Sequence, residues 1–123
     1  MPHDKETLAA VAARLIVESQ LTDWSLARRK AADELGLSAR ATPMPSDEDI
    51  IAEIKTYHAL YGGEEHAAQL ASQRETALEV LRELSRFGPR LVGPVAEGWA
   101  HEGSSIVLDI VADNAKDVEI ELV

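Results

Sequence analysis

Hydrophobic residues change their spacing at Gly88-Pro89, and this change constrains the fold more than any other feature of the sequence. Before it, apolar residues recur every three or four positions, which is the period of a helix buried on one side. From Ser105 onward, apolar and polar residues alternate, which is the period of a half-buried strand. A single switch from the helical to the strand period predicts an α+β fold, with the helices first and a small sheet last.

The helical part divides into an N-terminal helical hairpin and two further helices. Thr22 or Asp23 offers an N-cap to the second helix, and Gly36 suits a left-handed residue after its end. Ser46, followed by three acidic residues, is typical of a helix start. The apolar stripes of the four helices are Leu8, Val11, Ala12, Leu15 and Ile16; Trp24, Ala27, Ala31 and Leu35; Ile50, Ile54, Tyr57 and Tyr61; and Leu70, Ala77, Leu78, Leu81 and Leu84.

The residue pattern after Gly88-Pro89 predicts a mainly antiparallel sheet of three strands. Leu91 to Ala96 is apolar and favours a strand, with Pro94 at an edge or a bulge. Residues 105–112 form the second strand, residues 114–117 a turn, and residues 118–123 a third strand with its two glutamates outward. We therefore expect a single domain over residues 1–123, with the hairpin over 1–40, two helices over 46–87 and the sheet over 90–123.

Charge and composition exclude several classes of function. The net charge of −10 opposes binding to nucleic acid and to anionic lipid. The absence of cysteine excludes disulfides, thiolate catalysis and cysteine-ligated zinc. No apolar run approaches the roughly 18–20 residues of a membrane span, and the N-terminus lacks the pattern of a secretory signal. We therefore predict a cytoplasmic protein that binds neither nucleic acid nor membrane.

Three segments follow one another in an order known from a family of enzymes. They are Leu81-Arg82-Glu83-Leu84 leading into Pro89-Arg90-Leu91-Val92, the turn Gly98-Trp99-Ala100, and Ser104-Ser105-Ile106-Val107-Leu108. Together they make residues 75–123 resemble a partial core of the nucleotidyltransferase superfamily. The resemblance implies a Gly-Ser pair that binds phosphate, and two carboxylates at i and i+2 that hold Mg²⁺ for phosphoryl transfer. It also implies nucleotide contacts from the predicted turn, at Gly98, Gly103, Ser104 and Ser105.

The sequence departs from that family at the residues that carry its chemistry. Trp99 stands where the phosphate-binding serine is expected, and Ser105 and Val107 occupy the two carboxylate positions. A displaced metal site is an alternative, because Asp109 follows on the same strand face and a glutamate of the third strand faces it. The metal ligands are then Asp109 with Glu119 or Glu121. We favour the simpler interpretation, in which these three acids form the solvated face of a half-buried sheet.

Other motifs in the chain give weaker signals. The spacing from Gly98 to Gly103 imitates a P-loop, but a serine replaces the lysine and a strand follows instead of a helix. Residues 31–38 look like the middle of a helix-turn-helix, but two prolines occupy the place of the recognition helix. His101, beside Glu102, is the one histidine placed for chemistry, and a general base also needs a positioned partner.

The function predicted from the sequence is therefore association without catalysis and without a cofactor. We expect a divergent nucleotidyltransferase-like protein that acts through self-association or through a protein partner. The alternative is an active metal-dependent nucleotidyltransferase that uses Mg²⁺ and a nucleotide at the displaced site. The third strand ends at Val123 with an unpaired edge, so we expect a homodimer in which a second copy completes the sheet, or a chain that is a piece of something longer.

Overall fold

The computed structural model of the chain describes residues 4–111 and 117–122. Within these residues the chain forms five α-helices, one short 3-10 helix at Ser85–Phe87 and three β-strands, which confirms the predicted α+β fold. The chain divides into two compact units, Met1–Gly63 and Glu64–Val123. The elements are α1 (Asp4–Ser19), α2 (Trp24–Glu34), α3 (Asp47–Tyr61), α4 (Gly63–Glu83), β1 (Arg90–Val92), α5 (Gly93–Glu97), β2 (Ile106–Val111) and β3 (Asp117–Leu122).

The first unit contains α1, α2 and α3, and α1 packs against both of the other helices. Its buried side chains are small or aliphatic, and alanines at the contacts let helix axes approach closely. The predicted stripes are confirmed along most of their length. The fully or almost fully buried residues of these helices are Leu8, Ala9, Ala12, Ala13, Ile16, Ala27, Ala31, Ala32, Ile50 and Ile54.

Side-chain caps start the second and third helices where the sequence predicts them. Asp23 accepts a hydrogen bond from the backbone N–H of Leu26 at 3.1 Å, so Asp23 is the N-cap of α2. Ser46 accepts from the backbone N–H of Asp49 at 3.1 Å, and the Asp49 carboxylate accepts from the backbone N–H of Ser46 at 2.9 Å. This reciprocal capping box satisfies two N–H groups that the first turn of α3 leaves without partners.

The predicted stripes are wrong at two helix ends. Leu35 is 36% exposed and Tyr61 is 72% exposed, although both continue the spacing of buried residues. Leu35 is the C-cap of α2, and Gly36 beyond it has a φ of 69°. Tyr61 is the last residue of α3. A helical period predicts burial only while the helix remains against its neighbour, and both residues lie where the helix ends.

One basic residue has a role that its helical face does not predict. Arg28 of α2 donates to the backbone carbonyl of Pro45 at 2.8 Å and pairs with the carboxylate of Asp47. Its side chain is only 17% exposed, although Arg28 lies outside the apolar stripe of α2, where the helical spacing predicts mostly exposed residues. The connector between α2 and α3 is therefore fixed to α2 by one guanidinium.

The second unit is built around an antiparallel sheet in the order β1-β2-β3. Leu108 in the central strand is fully buried. Partly buried side chains of α4 and of the sheet pack around this core. The buried members of the core are Ala77, Val95, Ala100, Ile106 and Leu108, and the partly buried ones are Leu70, Val80, Leu81, Leu84, Leu91 and Leu122.

The predicted first strand is wrong beyond Val92, where β1 ends. Gly93 has a φ of 77°, a left-handed conformation that strand residues with a Cβ rarely adopt. Pro94 then occupies the first turn of α5, where its fixed φ suits a helix and its missing N–H costs nothing. The apolar run through Ala96 is therefore a strand followed by one helical turn.

The fourth helix also ends earlier than the sequence predicts. Regular α-helix stops at Glu83, and the 3-10 helix that follows ends at Gly88, which has a φ of 60°. Leu78 is 44% exposed, so its place in the predicted stripe is wrong, whereas Val80 packs against the core. The buried face of α4 is therefore rotated slightly from the face that its leucines suggest.

The predicted alternation is confirmed in β3, where side chains are described from Glu119 to Leu122. Glu119 and Glu121 are exposed, while Ile120 and Leu122 are partly buried. Burial does not alternate in β2, where Asp109 and Ile110 are both partly buried. Val107 is only 7% exposed, although strand alternation places it on the face opposite that of Leu108. The backbone of Gly93 covers it, and a Cβ placed on Gly93 would lie 3.3 Å from Val107 Cγ2. The turn predicted at residues 114–117 lies largely outside the described residues, and so does the predicted inward position of Ala112.

Among the helices of the described residues, none has both the length and the apolar character of a membrane span.

Candidate functional site

The candidate site is the glycine loop, residues 98–105, which joins α5 to β2. Gly98 ends α5 with a φ of 90° and donates its N–H to the Pro94 carbonyl at 2.9 Å. The sequence predicts that residues 98–105 form an exposed turn with Gly98 or Gly103 at a positive φ, and Gly98 meets the second part of this prediction. The loop lies outside any helix, as predicted, and it connects to strands that pair antiparallel.

The prediction that the whole loop is exposed is wrong for its first half. Trp99 is 7% exposed, Ala100 is fully buried and His101 is 5% exposed. Ala100 belongs to the core of the second unit. Exposure begins only at Glu102 and Gly103. Apolar burial therefore decides the path of the loop, and its glycines allow the backbone to follow that path.

The second half of the loop is a tight turn closed by its own polar groups. The Ser104 hydroxyl accepts from the His101 N–H at 3.0 Å, and the Ser104 N–H donates to the His101 carbonyl at 3.0 Å. The Gly103 N–H donates to His101 Nδ1 at 3.0 Å. The hydroxyl of Ser104, which the resemblance assigns to nucleotide binding, thus already holds the turn together.

His101 is neutral in this arrangement. Its Nδ1 accepts a hydrogen bond, so the ring proton of the neutral form lies on Nε2. Burial lowers the pKa of His101 from its ordinary value of 6.5, because desolvation disfavours the imidazolium. A general base needs a free lone pair directed at a substrate. The lone pair on Nδ1 is engaged with Gly103, so this nitrogen holds the turn and does not face a substrate.

The polar side chains that position the loop come from α4, and the sequence interpretation missed them. His66 Nε2 donates to the Ala100 carbonyl at 2.9 Å, and Gln69 Nε2 donates to the same oxygen at 3.0 Å. Gln73 Nε2 donates to the His101 carbonyl at 2.9 Å. Gln69 also donates to the side-chain oxygen of Gln73 at 3.0 Å, which links the two amides.

Arg74 extends this set toward α5. Its Nε donates to the Val95 carbonyl at 3.0 Å, and its Nη2 donates to the Ala96 carbonyl at 3.1 Å. Both carbonyls belong to the short helix α5, whose last orphan carbonyls need partners of this kind. We call His66, Gln69, Gln73 and Arg74 the α4 tether. A signal for it does exist in the sequence, because the spacing of these residues places them on one helical face beside Leu70 and Ala77.

The predicted metal ligands lie on the sheet. Asp109 is paired across the strands with Arg90 on one side and with Glu119 on the other. Directly opposite residues of antiparallel strands point to the same face, so the predicted facing of Asp109 by Glu119 follows from the register. Glu121 pairs with Val107, one step further along that face. Arg90 Nη2 contacts Asp109 Oδ2 at 3.1 Å, so a cation already neutralises this carboxylate.

The two positions that the resemblance assigns to carboxylates hold side chains that are not carboxylate ligands. Ser105 is partly buried at the start of β2, and Val107 packs on Gly93. Hard divalent cations require several oxygen ligands, mostly carboxylates. In the part of the chain that the structure describes, no three His, Asp or Glu side chains converge in a way that holds a metal ion.

Comparison of this chain with protein-family models, curated proteins and solved structures found no significant match in any of the three. The relationship to nucleotidyltransferases therefore stays a prediction from residues 75–123.

Proposed function

We propose that this protein acts by associating with another polypeptide chain, either a second copy or a different protein, and that it is not a catalyst. The observation that carries the proposal is the open edge of the sheet. Over the described residues, β3 pairs with β2 on one side and with no strand on the other. An unpaired edge presents a row of backbone donors and acceptors that a further strand can satisfy.

The state of the glycine loop supports a structural role over a catalytic one. Ala100 of this loop belongs to the core, and the carbonyls of Ala100 and His101 accept hydrogen bonds from α4. The Ser104 hydroxyl and His101 Nδ1 are engaged within the turn. A phosphate-binding loop needs backbone N–H groups directed at its ligand. Here the N–H groups of His101, Gly103 and Ser104 all donate to other atoms of the loop.

A second candidate function rests on the register of β2 and β3. Asp109 and Glu119 lie directly opposite each other, which places two carboxylates on one face. In this candidate the chain is an active nucleotidyltransferase that binds Mg²⁺ and a nucleotide there, with Glu121 as a further ligand. The ion pair of Asp109 with Arg90 competes with such a metal, and this competition makes the candidate the weaker of the two.

Titration of Mn²⁺ into the protein by calorimetry separates the two functions. We expect no saturable binding to the wild type, and no rise of the melting temperature when Mg²⁺ and ATP are added, because ligands that bind the native state raise it. We expect Asp109→Asn to change the free energy of unfolding by no more than about 0.5 kcal/mol, because its ion-pair partner Arg90 is 69% exposed and solvent-exposed pairs contribute little.

The matched control is Glu79→Gln, which removes one exposed carboxylate from α4. Saturable Mn²⁺ binding that Asp109→Asn abolishes and Glu79→Gln preserves would sink the association proposal and establish the metal site. Multi-angle light scattering tests self-association, for which we expect a homodimer if the second chain is another copy. The cytoplasmic location is part of the same proposal, and fractionation of cells that express a tagged chain tests it.

A further inference from the structure

The open edge of β3 has a two-sided pattern that specifies what can pair with it. Glu119 and Glu121 are exposed on one face of the strand. Ile120 and Leu122 are partly buried on the other face, where Leu122 packs against the core. The strand is six residues long, whereas β1 at the opposite edge has three. Short edge strands resist pairing, so β3 is the edge that can accept a partner.

A second copy of β3 fits this edge poorly. A two-fold axis makes the two strands antiparallel, and a continuous sheet requires opposite residues to share a face. If the two copies pair about the middle of β3, a glutamate of one copy lies directly opposite a glutamate of the other. The glutamates concerned are Glu119 and Glu121. Like charges directly opposite destabilise a strand pair. The net charge of −10 on each chain adds to the repulsion.

We propose that the β3 edge binds an extended segment of a different protein, which adds a strand to the sheet and carries Lys or Arg at every second position. The basic side chains lie beside Glu119 and Glu121, and apolar side chains between them lie beside Ile120 and Leu122. Backbone hydrogen bonds along the edge supply affinity in this mode of recognition, and alternate side chains supply specificity. This inference rests on the proposed function, since it names the partner class for the association.

The two glutamates then have a double effect. They repel copies of the chain and other acidic strands, and they attract a strand with basic residues at matching positions. Specificity of this kind arises from the difference between an attractive and a repulsive partner. The apolar face of β3 continues the inward face of the sheet, so the partner's apolar residues extend a surface that Ile120 and Leu122 already begin.

The test is binding of a synthetic peptide of about eight residues, in which lysine and valine alternate, to the full chain. Affinity is measured by calorimetry, and pairing is measured by hydrogen exchange at the amides of residues 117–122. We expect saturable binding with added protection of those amides. Glu119→Lys combined with Glu121→Lys is expected to weaken the binding about tenfold, and to create binding of a peptide in which glutamate and valine alternate.

Two controls separate strand pairing from simple attraction between opposite charges. Glu75→Lys combined with Glu79→Lys changes two exposed carboxylates of α4 and shifts the net charge by the same amount. This variant is expected to bind the lysine peptide nearly as well as the wild type. A lysine–valine peptide with methyl groups on alternate backbone nitrogens keeps its charge but cannot complete the ladder, and we expect it not to bind. Circular dichroism confirms that each variant is folded.

The outcomes distinguish this inference from the proposed function. Binding that both double variants weaken equally, or that the methylated peptide retains, overturns the edge inference. No binding of the lysine peptide also overturns it. Light scattering that shows a dimer unaffected by the changes at Glu119 and Glu121 overturns the inference but leaves association by another surface intact. Mn²⁺ binding lost in Asp109→Asn removes the proposed function itself.

Discussion

The two compact units of this chain are stabilised by different kinds of contact. In Met1–Gly63, three helices bury aliphatic and alanine side chains, and caps such as Ser46 lie within one turn of the groups that they satisfy. In Glu64–Val123, side chains of α4 reach backbone carbonyls that are 21 to 34 residues away in sequence. Apolar burial has no preferred direction, whereas hydrogen bonds to carbonyls fix a backbone path. Arg28 makes a bond of this kind in the first unit, to the Pro45 carbonyl, whereas in the second unit four side chains of α4 bond to the loop and to α5. Both units depend on packing, and the second depends more on a directional polar network.

The largest expected effect is loss of packing in the first unit. Ile54 is fully buried in α3, and Ile54→Ala is expected to lower the free energy of unfolding by about 3 kcal/mol, since it removes apolar contact and leaves a cavity. Denaturation by urea measures the change. Leu60→Ala is the matched control in the same helix, because Leu60 is 68% exposed. Equal losses in the two variants would show that burial does not govern stability in this unit.

The next effect concerns the α4 tether of the second unit. Arg74→Met keeps the aliphatic stem but removes the hydrogen bonds to Val95 and Ala96, and it is expected to cost about 2 kcal/mol. Arg82→Met is the control, because Arg82 is an exposed arginine of the same helix. Urea denaturation and hydrogen exchange in residues 95–101 measure the outcome. If the control is equally destabilising, the tether contributes nothing beyond the charge of α4.

A smaller effect is expected from the cap of α3. Ser46→Ala removes the side-chain acceptor of the capping box and is expected to cost about 1 kcal/mol. Ser25→Ala changes an exposed serine within the first turn of α2 and serves as the control. Thermal unfolding measures both variants. If Ser46→Ala leaves the melting temperature unchanged, the capping box does not contribute to the stability of the first unit.

The smallest expected effect is a difference between the two units in how the free energy of unfolding depends on pH. The folded pKa of His101 is lowered by burial, so the unfolded chain binds more protons near and below pH 6.5, and stability falls as the pH falls through that range. The slope from this residue stays below ~1.4 kcal/mol per pH unit, the value for one whole proton. His101→Gln keeps an acceptor for Gly103 but cannot titrate. We expect the variant to lose part of the slope between about pH 7.5 and about pH 5.5.

Asp49 provides the contrasting signature in the first unit. Hydrogen bonds from the backbone and the side chain of Ser46 lower the pKa of Asp49 from its ordinary 3.8. The stability that ionised Asp49 contributes is therefore present above pH 3.8, and it is lost as the pH falls through the lowered pKa of Asp49. Melting curves of His101→Gln and Asp49→Asn recorded across both ranges test the assignment. Coincident pH dependences in the two variants would contradict it.

The sequence predicts most of the first unit because its signals are local. A capping serine, a glycine past a helix end and an apolar period each act within a few residues, and Ser46, Asp23 and Gly36 were all predicted in their observed roles. In the second unit, the period predicts a strand through Ala96, whereas Pro94 suits the first turn of a helix equally well. The choice between them depends on contacts that α5 makes with the sheet, which no local pattern contains.

The candidate site was the hardest part to predict, for the same reason. Glycine and serine spacing indicated a turn, and a turn is present, but that spacing does not show that Trp99 and His101 are buried, because burial depends on the tertiary fold. The partners of the loop carbonyls lie on α4, and a histidine, two glutamines and an arginine on a helix are usually solvent-facing residues. The sequence predicted that Glu119 or Glu121 faces Asp109, and the register selects Glu119, whereas the ion pair with Arg90 was not anticipated.

The α4 tether has a consequence for how the loop can change during evolution or in design. Its donors bind main-chain oxygens, and every amino acid supplies the same oxygen. The identity of exposed loop residues such as Glu102 is therefore uncoupled from the bonds that position them. Constraint on the loop falls instead on α4, where a change at Gln73 or Arg74 removes support from a backbone whose own sequence is untouched. A library that varies residues 102 and 105 while it keeps α4 fixed would display new side chains on an unchanged loop backbone.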